Sequence, residues 1–119
     1  MLIVDDDEDV RMATQDALER RGYEVVAVSS GAEALGYLAR DTPRIMLLDL
    51  EMDDMNGFEV LGALQREPRY RHVEIVVVTG SGAKLPPSVR VLRKPFKVDA
   101  LIALLEGEPR VRASSSAGS

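Results

Sequence analysis

The sequence lacks several features, and each absence excludes a class of protein. It has no cysteine, which excludes a disulfide scaffold, thiolate chemistry and zinc–cysteine sites. Its apolar runs are only of strand length, so neither a signal peptide nor a membrane span is predicted. It also lacks a basic stripe, and its net charge of −5 argues against direct binding to nucleic acid. We therefore expect a cytoplasmic protein without membrane association.

The length and composition predict a single folded domain. The chain has 119 residues, of which 45% are hydrophobic and 29% are charged, as is ordinary for a soluble globular domain. The alternation of apolar and amphipathic segments extends over residues 1–106. Residues 107–119 are small, polar and unpatterned, so we expect them to form a disordered tail or linker.

Five apolar segments predict strands, and four amphipathic segments predict helices. The predicted strands are Met1–Val4, Tyr23–Val28, Ile45–Asp49, Val73–Val78 and Val89–Leu92, and the predicted helices are Asp9–Arg21, Ala32–Arg40, Gly57–Arg66 and Val98–Leu105. The side chains expected to face inward include Val10, Ala13, Ala17 and Leu18 on the first helix and Phe58, Val60, Leu61 and Leu64 on the third. Strands that alternate with helices predict an α/β fold, a parallel sheet in a three-layer open sandwich.

One connection departs from this alternation. The segment Gly80–Ser88 contains two glycines and the adjacent Pro86 and Pro87, which a helix of several turns cannot accommodate. Only residues 80 to 93 separate Thr79 from Lys94, too few for two loops, a helix and a strand. We therefore expect the fourth crossover helix to be absent or reduced to a turn.

Polar side chains follow four of the five predicted strands. They are Asp5 and Asp6, Asp49, Thr79 and Lys94. Because the carboxyl ends of parallel strands share one edge, these groups should converge there. Three carboxylates brought together would repel one another unless a cation lay among them, and Mg²⁺ prefers such oxygen ligands. One Asp beside the metal, with a hydroxyl and an ammonium opposite, is typical of an aspartyl nucleophile in phosphoryl transfer.

Simpler interpretations exist for each residue alone. Asp49 could merely end a strand, Thr79 could do the same, and Lys94 could be a surface lysine. The acidic run at residues 5–9 does not fit a calcium-binding loop, because no glycine supplies the turn. A phosphatase of the haloacid dehalogenase type would need a second Asp where Glu51 stands.

Together, the ordered motifs resemble the receiver domain of two-component response regulators. The matching segments are the acidic pair after Leu2–Val4, Asp49 within a hydrophobic strand, Met55-Asn56-Gly57, Thr79 after a valine run, and Lys94-Pro95-Phe96. The resemblance covers residues 1–106 and implies a flavodoxin-like sheet of order 2-1-3-4-5. It also implies a cis peptide bond between Lys94 and Pro95.

The resemblance assigns a role to each matching residue. It implies that Asp49 is the phosphoacceptor, that Thr79 is the switch hydroxyl and that Lys94 pairs with the phosphoryl oxygen. It further implies that Mg²⁺ is held by Asp5, Asp6, Asp49 and the backbone carbonyl of Glu51. In this family the positions of Glu51 and Ser81 also flank the path of the hydrolytic water.

The expected function is that of a signalling module. It would accept a phosphoryl group from the phosphohistidine of a sensor histidine kinase or phosphotransfer protein, and it would catalyse only its own modification. A downstream protein partner is expected, and its identity is open. The alternative is a phosphorylation-independent interaction module, and a homodimer through the exposed sheet edge is a further option. Val91 replaces a common aromatic switch residue, so we expect the output surface to be non-standard.

Overall fold

The computed structural model describes residues 1–52, 57–82 and 84–106. The strands are β1 (Leu2–Val4), β2 (Val26–Val28), β3 (Ile45–Asp49), β4 (Glu74–Thr79) and β5 (Arg90–Arg93). The α-helices are α1 (Glu8–Arg20), α2 (Gly31–Arg40), α3 (Gly57–Arg66) and α4 (Val98–Glu106), and a 3₁₀ turn spans Pro68–Tyr70. No helix in the described part of the chain is long and apolar enough to cross a membrane. The predicted tail at residues 107–119 lies outside the described residues.

The five strands form one parallel sheet in the order β2-β1-β3-β4-β5, which confirms the predicted α/β architecture. Helices α2 and α3 cover one face of the sheet, where they pack against apolar residues of β1, β3 and β4. Helices α1 and α4 cover the other face through Leu18, Leu101 and Ile102. The central strand β3 is buried from Met46 onward, because helices cover it on both sides.

Local sequence signals place the helix ends. At the start of α1, the Asp7 side chain accepts a hydrogen bond from the Val10 N–H, and Glu8 and Asp9 lie in the first turn, where acidic residues favour the helix dipole. After α1, Gly22 adopts a φ of 94°, and its N–H donates to the Glu19 carbonyl at 3.0 Å. Tyr23 N–H donates to the Leu18 carbonyl, completing a Schellman motif. The chain is thus turned back toward the sheet.

Two of the predicted helical faces were partly wrong. On α1 the buried residues are Thr14 and Leu18, while Val10 is 37% exposed and Ala13 is also exposed. The reason is tertiary: α4 packs beside Leu18, whereas the first half of α1 borders an open groove. On α3, Val60, Leu61 and Leu64 are buried as predicted.

Phe58 was expected to face inward and is instead 43% exposed. The buried face of α3 begins at Gly57, one residue before Phe58, and Gly57 packs against the backbone of Asp49 and Leu50. Phe58 follows on the outer side of that face. The second strand is also shorter than predicted, because it pairs only along the three residues of β1.

The shortened fourth crossover is confirmed for the residues that the structure describes. Between β4 and β5, residues 80–82 and 84–89 contain a turn closed by the Val89 N–H and the Pro86 carbonyl, and no helix. Leu85 and Val89 pack against the core on the α2–α3 side of the sheet. On β5, only Leu92 is buried, and Val91 is 41% exposed.

Candidate functional site

The polar residues predicted to converge do lie together at the carboxyl edge of the sheet. Asp5 and Asp6 follow β1, Asp49 ends β3, Thr79 ends β4, and Lys94 follows β5. Asp5, Asp6, Asp49 and Lys94 line a groove of about 570 Å³, called here the acidic groove, and Thr79 contacts Glu51, which also lines it. Its lining includes Asp5, Asp6, Asp49, Glu51 and Lys94 on the polar side and Val10, Ala13, Pro95, Phe96 and Val98 on the apolar side.

Three carboxylates form the acidic end of the groove. Asp5, Asp6 and Asp49 each offer one oxygen, and these oxygens all lie within 4.8 Å of one another. Asp5 and Asp49 are buried, with 8% and 3% of their surface exposed, whereas Asp6 is exposed. Such a donor set, with one side open to water, fits a hard divalent cation such as Mg²⁺.

The local electrostatics of Asp5 support this fit. Burial, together with the charge of Asp49, raises the pKa of Asp5 to about 6, although the Asp7 N–H donates to its carboxylate at 2.9 Å. A cation among the three carboxylates would favour their ionised forms and reverse this shift. The Arg11 guanidinium does not take the place of such a cation, because it donates to the backbone carbonyl of Asp5, at 3.0 Å, and not to the carboxylate.

The Oδ1 atom of Asp49 contacts a backbone N–H and an ammonium group. This oxygen accepts from the Glu51 N–H at 2.9 Å and lies 2.8 Å from the Lys94 ammonium. Burial alone would lower the pKa of Lys94, but the hydrogen bond to Asp49 and the negative charges of Asp49 and Glu51 raise it above its usual value. Lys94 is therefore a fixed cation beside the predicted phosphoacceptor.

Two backbone features place Asp49 and Lys94. Gly57, at the start of α3, lies so close to β3 that a Cβ there would overlap the Asp49 carbonyl oxygen. The Lys94 N–H donates to the Thr79 carbonyl at 3.0 Å, which continues the β4–β5 ladder beyond the last paired residue. The Lys94–Pro95 peptide bond is cis, as the resemblance implied.

Sequence reasoning placed Glu51 beside the path of the hydrolytic water but missed the hydrogen bonds that its side chain makes. Only its backbone carbonyl was considered as a ligand, yet its carboxylate accepts hydrogen bonds from the Thr79 hydroxyl and from the Gly80 N–H. Lys94 Nζ lies 3.6 Å from its Oε1. The hydrogen bond from Thr79 is the main cause that lowers the pKa of Glu51. Burial acts in the opposite direction, but the hydrogen bond from the Gly80 N–H and the charge of Lys94 also lower this pKa. Its position two residues after a strand-ending Asp was the available signal.

Comparison with known proteins identifies the family. A family model for the response regulator receiver domain matches residues 1–106. The chain is 34% identical over 113 residues to the response regulator protein FleR of Pseudomonas aeruginosa, covering 88% of this chain and 23% of FleR. It is 32% identical over 114 residues to the transcriptional regulatory protein KdpE of Mycobacterium tuberculosis, covering 92% of this chain and 50% of KdpE. The chain thus spans half or less of the length of these two relatives.

A solved structure gives the same result. The chemotaxis response regulator CheY4 of Vibrio cholerae superposes with a TM-score of 0.80 at 28% identity, covering 88% of this chain and 93% of that one. The sheet order, the acidic edge and the matched family model agree with one another. The chain belongs to the response regulator receiver domain family of two-component systems.

Proposed function

We propose that this chain accepts a phosphoryl group on Asp49 from a phosphohistidine of a sensor histidine kinase or phosphotransfer protein. The carboxylate of Asp49 would form the new O–P bond while the N–P bond breaks, its electron pair returning to the imidazole nitrogen. The observation that carries the proposal is the buried carboxylate of Asp49, which lies 2.8 Å from the Lys94 ammonium and is grouped with the carboxylates of Asp5 and Asp6. The chain would catalyse only its own modification and would turn over no external substrate.

The groove gives a donor access to Asp49. Although Asp49 is buried in the protein, it lines the open acidic groove beside the exposed Val10 and Ala13 of α1. These apolar side chains, with Phe96, offer a surface on which a partner could seat its phosphorylated side chain. We propose that the encounter takes place in the cytoplasm, where such kinases present their phosphohistidine.

Mg²⁺ fits the remaining groups of the site. Asp5, Asp6 and Asp49 would hold it, together with the backbone carbonyl of Glu51, and when bound it would neutralise charge developing on the transferred group. Lys94 would pair with a phosphoryl oxygen, and Thr79 would donate its hydroxyl to another. This last contact requires the Thr79 hydroxyl to leave its present acceptor, and such a movement would be the switch that alters the interaction surface.

Acetyl phosphate provides the direct test. Intact mass would be measured after incubation with and without Mg²⁺ for the wild type, Asp49→Asn and Asp16→Asn, the last being an exposed carboxylate on α1. We expect one phosphoryl adduct in the wild type and in Asp16→Asn, and none in Asp49→Asn or without Mg²⁺. A folded wild type that stays unmodified with Mg²⁺ would refute the proposal and favour a phosphorylation-independent interaction module.

A further inference from the structure

The Glu51 carboxylate occupies a cluster of donors beside Asp49. It accepts from the Thr79 hydroxyl at Oε2 and from the Gly80 N–H at Oε1, the latter at 3.0 Å. The Lys94 ammonium lies 3.6 Å from Oε1 and 2.8 Å from Asp49 Oδ1. Three donors from two chain segments therefore converge on one anion, two residues away from the phosphoacceptor.

The Thr79 hydroxyl cannot donate to Glu51 and to a phosphoryl group at the same time. A hydroxyl has one proton to donate, and in this structure the Thr79 proton goes to Glu51. The oxygen of the same hydroxyl also accepts from the Ser81 N–H at 3.1 Å and lies 3.0 Å from the Ser81 hydroxyl. Thr79 therefore has no proton left for a phosphoryl oxygen on Asp49 until its bond to Glu51 breaks.

We infer that the Glu51 side chain is an internal substitute for the phosphoryl group, which holds Thr79, Gly80 and Lys94 in the unphosphorylated arrangement and must be displaced when Asp49 is modified. This inference rests on the proposed function. It makes Glu51 a positioning residue that opposes phosphorylation. Because its hydrogen bonds involve a charged acceptor, they are stronger than neutral ones, and their loss on displacement weakens binding of the competing group.

The length of the side chain separates this role from simple charge repulsion. Glu51→Asp keeps the negative charge beside Asp49 but is one methylene too short to reach both Thr79 and Gly80. Glu51→Gln keeps the reach and removes the charge. Asp9→Asn is the control for loss of a negative charge, because it removes one exposed carboxylate from the first turn of α1, which supplies none of the three donors that surround Glu51.

The probe is beryllium trifluoride with Mg²⁺, which forms a non-hydrolysable mimic of a phosphoryl group on a carboxylate. Affinity would be measured by titration, and the Gly80 amide would be followed by ¹⁵N NMR. We expect Glu51→Asp to bind the mimic roughly tenfold more tightly than the wild type, and Asp9→Asn to bind like the wild type. The Gly80 amide of unliganded Glu51→Asp should already have moved, because it has lost its acceptor.

Each other outcome has a distinct meaning. Unchanged affinity in Glu51→Asp would show that charge alone matters and would overturn the inference. Weaker binding would show that Glu51 merely supports the loop, which would also overturn it. If neither the wild type nor any variant binds the mimic or gains an adduct from acetyl phosphate, the proposed function itself fails. If all of them bind the mimic equally, the proposed function stands and only the inferred role of Glu51 is overturned.

Discussion

The strands that carry Asp49 and Thr79 and the edge strand β5 belong to one sheet, but they differ in how far they are buried. Asp49 and Thr79 end strands that are buried on both faces, whereas β5 buries only Leu92. Lys94 nevertheless reaches the groove from the end of this exposed strand. Its backbone N–H is fixed by the Thr79 carbonyl, and its ammonium by Asp49.

The positions of the site residues thus depend more on strand register than on the helices that cover the sheet. A crossover helix after β4 would rest on the side of the sheet where Leu85 and Val89 now pack. Its replacement by a short connection leaves Val91 exposed but does not disturb the pairing of Thr79 with Arg93. This receiver domain therefore lacks the fourth crossover helix within its described residues and still holds Asp49, Thr79 and Lys94 at one edge of the sheet.

The largest expected effect concerns the end of β3, where α3 packs against the backbone of Asp49 and Leu50. Gly57→Ala would place a Cβ 2.5 Å from the Leu50 Cα and in overlap with the Asp49 carbonyl oxygen. Backbone cannot yield as a flexible side chain can, so we expect the free energy of unfolding to fall by about 3 kcal/mol. Urea denaturation would measure this, together with loss of the adduct from acetyl phosphate.

Gly36→Ala is the matched control for that substitution. Gly36 also lies in a helix, but a Cβ there would meet nothing within 4 Å. It should raise the stability by up to about 1 kcal/mol, because alanine is the better helix former. A Gly57→Ala protein as stable as Gly36→Ala would contradict the tight packing of α3 against the end of β3.

A second prediction compares two valines that face each other across β4 and β5. Val77 and Val91 are paired in register, yet Val77 is fully buried and Val91 is 41% exposed. Truncation of Val77 to alanine should destabilise the fold by about 2 kcal/mol, and truncation of Val91 by about 0.5 kcal/mol or less. Thermal unfolding of the two variants would measure the difference. Equal losses would show that the β5 edge is covered in solution, for example by a second copy of the chain.

The third prediction concerns the charge balance of the acidic groove. Because burial and Asp49 raise the pKa of Asp5 from 3.8 to about 6, the folded state holds this proton more tightly than the unfolded state. Without metal, stability should therefore decrease by about 1–2 kcal/mol as the pH rises from 4 to 7. Denaturation in chelator at several pH values, for the wild type and Asp5→Asn, would isolate this contribution.

Asp5→Asn should lack that part of the pH dependence and should be the more stable protein at pH 7 in chelator. Mg²⁺ should stabilise the wild type at pH 7, because it binds only the assembled carboxylates of the folded state. If the two proteins show parallel pH profiles, the repulsion among Asp5, Asp6 and Asp49 is not significant.

Much of the fold could be predicted from the sequence because its signals are local. The apolar run of β3, the glycine after α1 and the two prolines before Val89 each restrict the backbone where they stand. The rotation of α1 and α3 about their own axes could not be predicted in the same way. Val10 and Phe58 are apolar, and only the position of α4 and the contact at Gly57 decide that both face outward.

The same distinction between local signals and long-range contacts applies to the candidate site. Which polar residues follow the strands could be read from the sequence alone. Because parallel strands end on the same side of a sheet, Asp5, Asp6, Asp49, Thr79 and Lys94 could be predicted to share one edge. The hydrogen bonds of the Glu51 side chain, in contrast, could be seen only in the folded structure. Its hydrogen bonds join residues far apart in the chain, and the geometry of such contacts depends on how β3 and β4 lie against each other.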